Sequence, residues 1–199
     1  MIRIMFETLL ANVAGARVLS LGTGEMAFRQ GEPARAIFQV RDGSVALVRH
    51  LADGALLTLA TATSGQTFAE ASLFAERYHC DAIARSKSEV LVVPSDALRG
   101  RLAANPDQAI QFAEFLAGQV RELRARLEIQ RIKKAPERLL AWLRWRAQGK
   151  SSFQATDAWS RVASELALSQ EALYRALSAL EKAGHIRRQG RKLELCSGV

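Results

Sequence analysis

Along the first hundred residues the apolar positions recur in short runs broken by turn residues. The clearest stretch is "AIFQVRDGSVALVRHLADGALLTLATA", residues 36–62, where apolar side chains alternate within "SVALV". Its turn signals "RDG" and "ADG" lie eleven residues apart. Asp-Gly between alternating runs predicts a hairpin, because glycine takes the positive φ that such turns need. Upstream, "LGTGEMAFRQGEPARAIF" adds turns at Gly22–Gly24 and Gly31–Pro33; downstream, "EVLVVP" predicts a buried strand closed by Pro94. Short strands at near-regular spacing predict a small antiparallel barrel or roll.

The period changes at "AANPDQAIQFAEFLAGQVRELRARLEIQRIKK". Asn105 suits an N-cap, Pro106 the first helical position, and Asp107 the positive end of the helix dipole. Ala113, Leu116, Val120, Leu123, Leu127 and Gln130 then recur at intervals of 3, 4, 3, 4 and 3. That two-in-seven seam is narrower than the stripe of a helix lying on its own core. Glu122, Arg124, Arg126 and Glu128 flank it. Such a helix pairs with a copy of itself, so a homodimer through Leu116, Val120, Leu123 and Leu127 is expected. Packing against the roll is the alternative. Gln130 either sets the register of the pair or marks where the pairing frays.

Pro136 opens a third pattern. "PERLLAWLRWRAQGK" predicts an amphipathic helix whose Leu139, Leu140, Trp142 and Leu143 enter a second small core. Leu143, Trp145 and Trp159 supply core or interdomain bulk, not a base-stacking platform. "GKSSFQATD" follows as a polar loop with room for a short hairpin. In "WSRVASELALSQEALYRALSALEKAGHIRRQGRKLEL", residues 159–195, Val162, Ala163, Leu166, Ala167 and Leu168 close a short helix and enter a tight turn. Ala163 and Ala167 are small where two helices would cross. Ser169 caps a second helix whose inner face is Leu173, Ala176, Leu177 and Leu180, and Gly184 ends it. The spacing is that of a helix-turn-helix. Its outward face carries Gln170, Glu171, Tyr174, Arg175 and Ser178 beside the capping Ser169. Arginine can read guanine, glutamine adenine, and glutamate cytosine. "HIRRQGRKLEL" predicts a two-stranded wing tipped by Arg188, Gly190, Arg191 and Lys192, suited to phosphate contact. The fold class expected is α+β: an antiparallel β-roll over 1–104, a dimerisation helix over 105–134, and a winged helix-turn-helix over 135–199.

Charge sharpens that picture. The net charge is +8, but residues 1–105 hold 11 Lys/Arg against 10 Asp/Glu, while residues 106–199 hold 17 against 10. The excess sits with the helix-turn-helix and favours a polyanionic partner, double-stranded DNA. No apolar run reaches the ~20 residues that span a bilayer. The opening "MIRIMFETLLANVAG" is broken by Glu7 and Asn12 and is not expected to be a signal peptide. A cytoplasmic protein without a membrane partner is expected. Cys80 and Cys196 are the only cysteines, and CxxC and HExxH are absent, so no metal site is expected.

In this order of parts the chain resembles the Crp/Fnr family of bacterial transcription regulators, the catabolite-activator type, over essentially its full length. The residues that carry the resemblance are "GEMAFRQGEPARAIFQVRDGSVAL", "FAEASLF" and "LSQEALYRALSALEKAGHI". The resemblance implies an effector in the roll, paired long helices, two reading heads on a palindrome, and contact with RNA polymerase. It also implies effector-pocket candidates at Glu70, Ser72, Leu73, Arg77, His79, Cys80 and Asp81.

In cyclic-nucleotide-binding members a glycine-glutamate turn precedes, by about ten residues, an Arg-Ser or Arg-Thr pair that grips the phosphate. Here Ala69 stands for the glycine, and gapless counting puts Cys80 on the arginine and Asp81 on the Ser/Thr. The lost charged hydrogen bond costs about 1.5–3 kcal/mol. A carboxylate ~5 Å from the phosphate adds a repulsion of order 3 kcal/mol at a dielectric near 20. Together they weaken binding roughly a thousandfold. A cyclic nucleotide in the standard pose is therefore not expected. Arg77 could substitute only if the loop shifted by three residues.

The stretch "RYHCDA" offers a sharper alternative, a metal or haem. A strand through it would send His79 and Cys80 to opposite faces, so they could not share one ion. The expected placement is Cys80 in the core with Ala82, and His79 and Asp81 at the pocket or surface. Haem and iron–sulfur ligation are not expected, and the effector stays unidentified. No catalytic constellation accompanies the three histidines. The function expected is a dimeric DNA-binding regulator, not an enzyme. The alternative is a cyclic-nucleotide- or haem-responsive module whose winged helix binds protein.

Overall fold

The computed structural model describes residues 9–10, 12–51, 54–147, 149, 152–154, 159–189 and 192–196. They divide into two compact units, Met1–Leu116 and Ala117–Val199.

In the first unit, strands β1 (Arg17–Leu21), β2 (Met26–Phe28), β3 (Ala36–Asp42), β4 (Ser44–His50), β5 (Leu56–Thr63), β6 (Thr67–Phe68), β7 (Asp81–Ala84) and β8 (Ser88–Pro94) make two antiparallel sheets. Their orders are β1-β8-β3-β6 and β2-β7-β4-β5. The sheets enclose an inner core that includes Phe28, Phe38, Val40, Phe68, Tyr78, Ala82, Val90 and Val92. An outer core joins Ile37, Leu91 and Val93 to Leu10, Leu73, Leu98, Leu102 and Phe112. Strands β3 and β8 are thus buried on both faces, which explains the unbroken apolar run of "EVLVVP". The outer cover comes partly from α1 (Ser95–Ala104), a helix that the strand pattern of this region does not announce. Gly43 ends the β3 strand's hairpin at φ 83, where a side chain would also collide with Ser88.

Helix α2 (Pro106–Arg131) follows and runs across the boundary between the units. Asn105 joins it to α1. Its carbonyl accepts from the Ala109 N–H at 3.0 Å, and its side-chain amide donates back to the Arg101 carbonyl at 3.0 Å.

The second unit holds α3 (Ala135–Ala147), β9 (Ser152–Gln154), α4 (Trp159–Glu165), α5 (Gln170–Lys182), β10 (Ile186–Gln189) and β11 (Lys192–Leu195). Its core contains Leu139, Trp142, Leu143, Val162, Ala163, Leu166, Leu173, Leu177, Leu180, Ile186 and Leu193, with Leu140, Trp145 and Trp159 packed at its margin. The wing differs from the two strands expected. It is a three-stranded sheet ordered β10-β11-β9, with Leu193 opposite Phe153. Three residues, Ser152–Gln154, carry too little period to reveal β9.

The turn between α4 and α5 corrects the expected role of Ala167. Ala163 is buried, but Ala167 is exposed at φ 51. The Leu168 N–H reaches the Ala163 carbonyl at 2.8 Å and the Ala167 N–H reaches that of Ser164 at 3.1 Å. That is a Schellman closure with alanine where glycine is usual.

Candidate nucleic-acid interface and effector region

Helix α5 begins where Ser169 Oγ accepts from the Ala172 N–H at 3.1 Å, so the serine hydroxyl serves as the cap. Leu173, Ala176, Leu177 and Leu180 are buried against the second core. The opposite face leaves Gln170, Glu171, Tyr174, Arg175 and Ser178 exposed, Tyr174 by 50%. Tyr174, Arg175, Ser178, Ala179 and Lys182 line an open hollow on that face. Lys182 is a member that sequence reasoning missed. It lies one helical turn beyond Ser178, and the i, i+4 rule would have found it.

Arg188, placed at the wing tip by its sequence, does not present a free guanidinium. Its Nε donates to Glu181 Oε2 at 2.8 Å, its Nη2 donates to the same oxygen, and its backbone N–H reaches Oε1 at 3.4 Å. The Arg188 hydrogen bonds hold the Glu181 carboxyl below its ordinary range. Gly190 and Arg191 lie outside the described residues, as does the side chain of Lys192. The Lys192 backbone pairs with Gln189 on one side and Gln154 on the other.

In the roll, Ala69 adopts a left-handed φ of 62 and leads into a 3-10 turn, Glu70–Ser72. Burial raises the pKa of the half-buried Glu70, and its own backbone N–H partly opposes the shift. Ser72 is buried. Leu73 packs in the outer core, and its carbonyl accepts from Arg99 Nη1 at 2.7 Å. Arg77 is exposed and donates to the Gly31 carbonyl at 2.7 Å.

Tyr78 fills the interior beside them. Its ring stacks on Phe28 with centroids 3.7 Å apart, and Phe38 stacks on Phe68 at 5.0 Å. The Tyr78 hydroxyl donates to the Ala36 carbonyl at 2.8 Å and accepts from the Ala36 N–H at 3.1 Å. Cys80 lies in the inner core with Ala82, where burial pushes its thiol up and Arg49 partly opposes the shift. His79 is exposed, and its carbonyl accepts from Arg49 Nη2 at 3.2 Å.

Asp81 is not at the surface, since its side chain is only 10% exposed. Its Oδ1 accepts from the Gln30 N–H at 2.6 Å, and its Oδ2 lies 3.3 Å from His50 Nε2. Among the described residues, no three His, Cys, Asp or Glu side chains gather as metal ligands.

Along α2, Val120, Leu123 and Leu127 are 46%, 57% and 57% exposed. Leu116, by contrast, packs at the margin of the outer core. Gln130 donates its amide to the Glu165 carbonyl at 3.2 Å, a contact within the second unit. Among the described residues, no helix is long and apolar enough to cross a membrane.

Residues 18–105 match the family model described as a cyclic nucleotide-binding domain. No curated relative matches the chain by sequence. Among solved structures, FixK2 from Bradyrhizobium japonicum is 23% identical with a TM-score of 0.68, covering 90% of this chain and 92% of its own. The catabolite activator protein of Thermus thermophilus is 26% identical with a TM-score of 0.53, covering 96% and 89%. A CRP-family transcriptional regulator from the same species is 23% identical with a TM-score of 0.58, covering 89% and 91%.

Proposed function

From a chain whose residues 18–105 match the cyclic nucleotide-binding domain model and whose structural neighbours are Crp/Fnr regulators, we propose a dimeric regulator that reads double-stranded DNA with α5. One neighbour is described as a CRP-family transcriptional regulator, which supports a regulator rather than an enzyme. The observation that carries the reading is the two-faced α5. Four buried apolar residues fix it to its own core, and a row of polar and basic side chains is left to solvent.

Glu171 and Arg175 lie four residues apart and share that face. Arg175 makes a bidentate contact with guanine O6 and N7. Glu171 accepts from a cytosine amino group or orients the arginine. Pairing of α2 through Val120, Leu123 and Leu127 presents two such helices to the halves of a palindrome. RNA polymerase is the further partner that the Crp/Fnr resemblance implies.

The roll is controlled by a ligand other than a cyclic nucleotide in the standard pose, or by none. Three observations support this: Cys80 in the core, Tyr78 stacked within the interior, and Asp81 committed to Gln30 and His50.

The test is Arg175→Ala, assayed by competition among operators that differ at single positions. It should cost about 1–3 kcal/mol and relax preference at one base pair per half-site. An unchanged preference at every position would contradict the assignment.

A further inference from the structure

Glu181 sits in the last turn of α5. A carboxylate there runs against the helix dipole, which favours cations at that end. Its neighbour across the turn gives it a different purpose. Arg188 of β10 delivers two guanidinium nitrogens and its backbone N–H to that single carboxylate. The pair spans the junction of the reading helix and the wing, and both side chains stay about a third exposed, at 37% and 36%.

A free arginine at this edge would find a DNA phosphate. Such contacts add affinity for every sequence alike, and each steepens the salt dependence by about 0.9 in the log–log slope. An arginine already bonded through two nitrogens to a carboxylate adds neither, because the pair is locally neutral.

We propose that Glu181 is a positioning residue of the reading head: by holding Arg188 it keeps that cation off the DNA backbone, ties the wing to α5 and lowers affinity for duplex DNA of any sequence. The inference rests on the DNA-reading proposal above. It reverses the expectation that Arg188 is a phosphate anchor.

The experiment measures binding of the full chain to an operator and to a random duplex across a salt series. The variants are the wild type, Glu181→Gln, Arg188→Gln and the double variant. Glu181→Gln should bind the operator and the random duplex alike several-fold more tightly at low salt. It should also lose about threefold more affinity than the wild type between about 50 and 200 mM salt, one cation's share. The double variant, neutral at both positions, should keep the wild-type slope, whereas Arg188→Gln leaves the Glu181 carboxylate bare and should bind no duplex more tightly than the wild type.

A merely structural pair would not steepen the slope when its acid is neutralised. In the absence of DNA, NMR titration should place the Glu181 carboxyl low in the wild type and higher in Arg188→Gln. A slope that falls by about one cation in the double variant would overturn the proposal, since Arg188 would then already lie on phosphate. A slope unmoved by Glu181→Gln would overturn it as well. Failure of the wild type to bind any duplex would instead bring down the DNA-reading premise and, with it, this inference.

Discussion

Ala69 and Ala167 hold left-handed backbone, at φ 62 and φ 51. An alanine Cβ crowds the following carbonyl there at a cost of roughly 1–2 kcal/mol. The surroundings decide what removing the methyl would do. Ala69 is buried in the inner core, so glycine would give up about 0.8 kcal/mol of burial along with the strain. Ala167 is exposed and loses nothing of that kind. Ala167→Gly should therefore raise stability by about 0.5–1 kcal/mol after the added chain entropy of glycine, read by urea denaturation. A fall in stability would contradict the strain.

The six residues of "RYHCDA" were legible only in part. Cys80 is inward and His79 outward as expected, but not through strand period, since β7 begins only at Asp81 and both residues precede it. Alternation could not predict Asp81, whose burial depends on Gln30 and His50, distant in sequence and brought in by strand pairing. Calorimetry with cyclic AMP or cyclic GMP should show no binding at concentrations that saturate ordinary members of the family. Micromolar affinity would mean that the gapless placement of Cys80 and Asp81 is wrong, and Arg77 would be the residue to re-examine.

At the scale of elements, what the sequence made legible was whatever depends on local period. The long helix, the helix-turn-helix with its inner face, and the hairpins at Gly43 and Gly54 all have caps, turns or spacing of their own. The third wing strand and α1 were missed, because β9 is three residues held by pairing with β11 and α1 follows a strand without a break. Gln130 lies in the seam by spacing, yet its amide serves the Glu165 carbonyl, an acceptor that only the folded second unit supplies.

Val120, Leu123 and Leu127 stay exposed without such a partner. Covering a leucine fully is worth about 1.5–3 kcal/mol, and a symmetric pair gains it twice. Changing Leu123 and Leu127 together to lysine should turn a dimer into a monomer that binds its operator poorly, as followed by sedimentation and gel shift. A wild type that sediments as a monomer at micromolar concentration would contradict the seam.

For the whole molecule, charge and architecture point the same way. Of the net +8, +7 belongs to residues 106–199, which include the reading helix and the wing, while the roll is nearly balanced. A basic half attracts any nucleic acid, with an affinity that falls steeply as salt rises. On the proposed reading, the exposed face of α5 adds the preference among sequences. Two such faces on a symmetric dimer would demand two related half-sites about one helical turn, roughly 34–36 Å, apart.

The most direct measurement is selection of binding sites from a random duplex library by the wild-type protein at about 150 mM salt, near the physiological range. The account predicts enrichment of a two-fold symmetric sequence whose half-sites are spaced by about one turn. A selected pool with no consensus, or with affinity equal to the starting library, would contradict it.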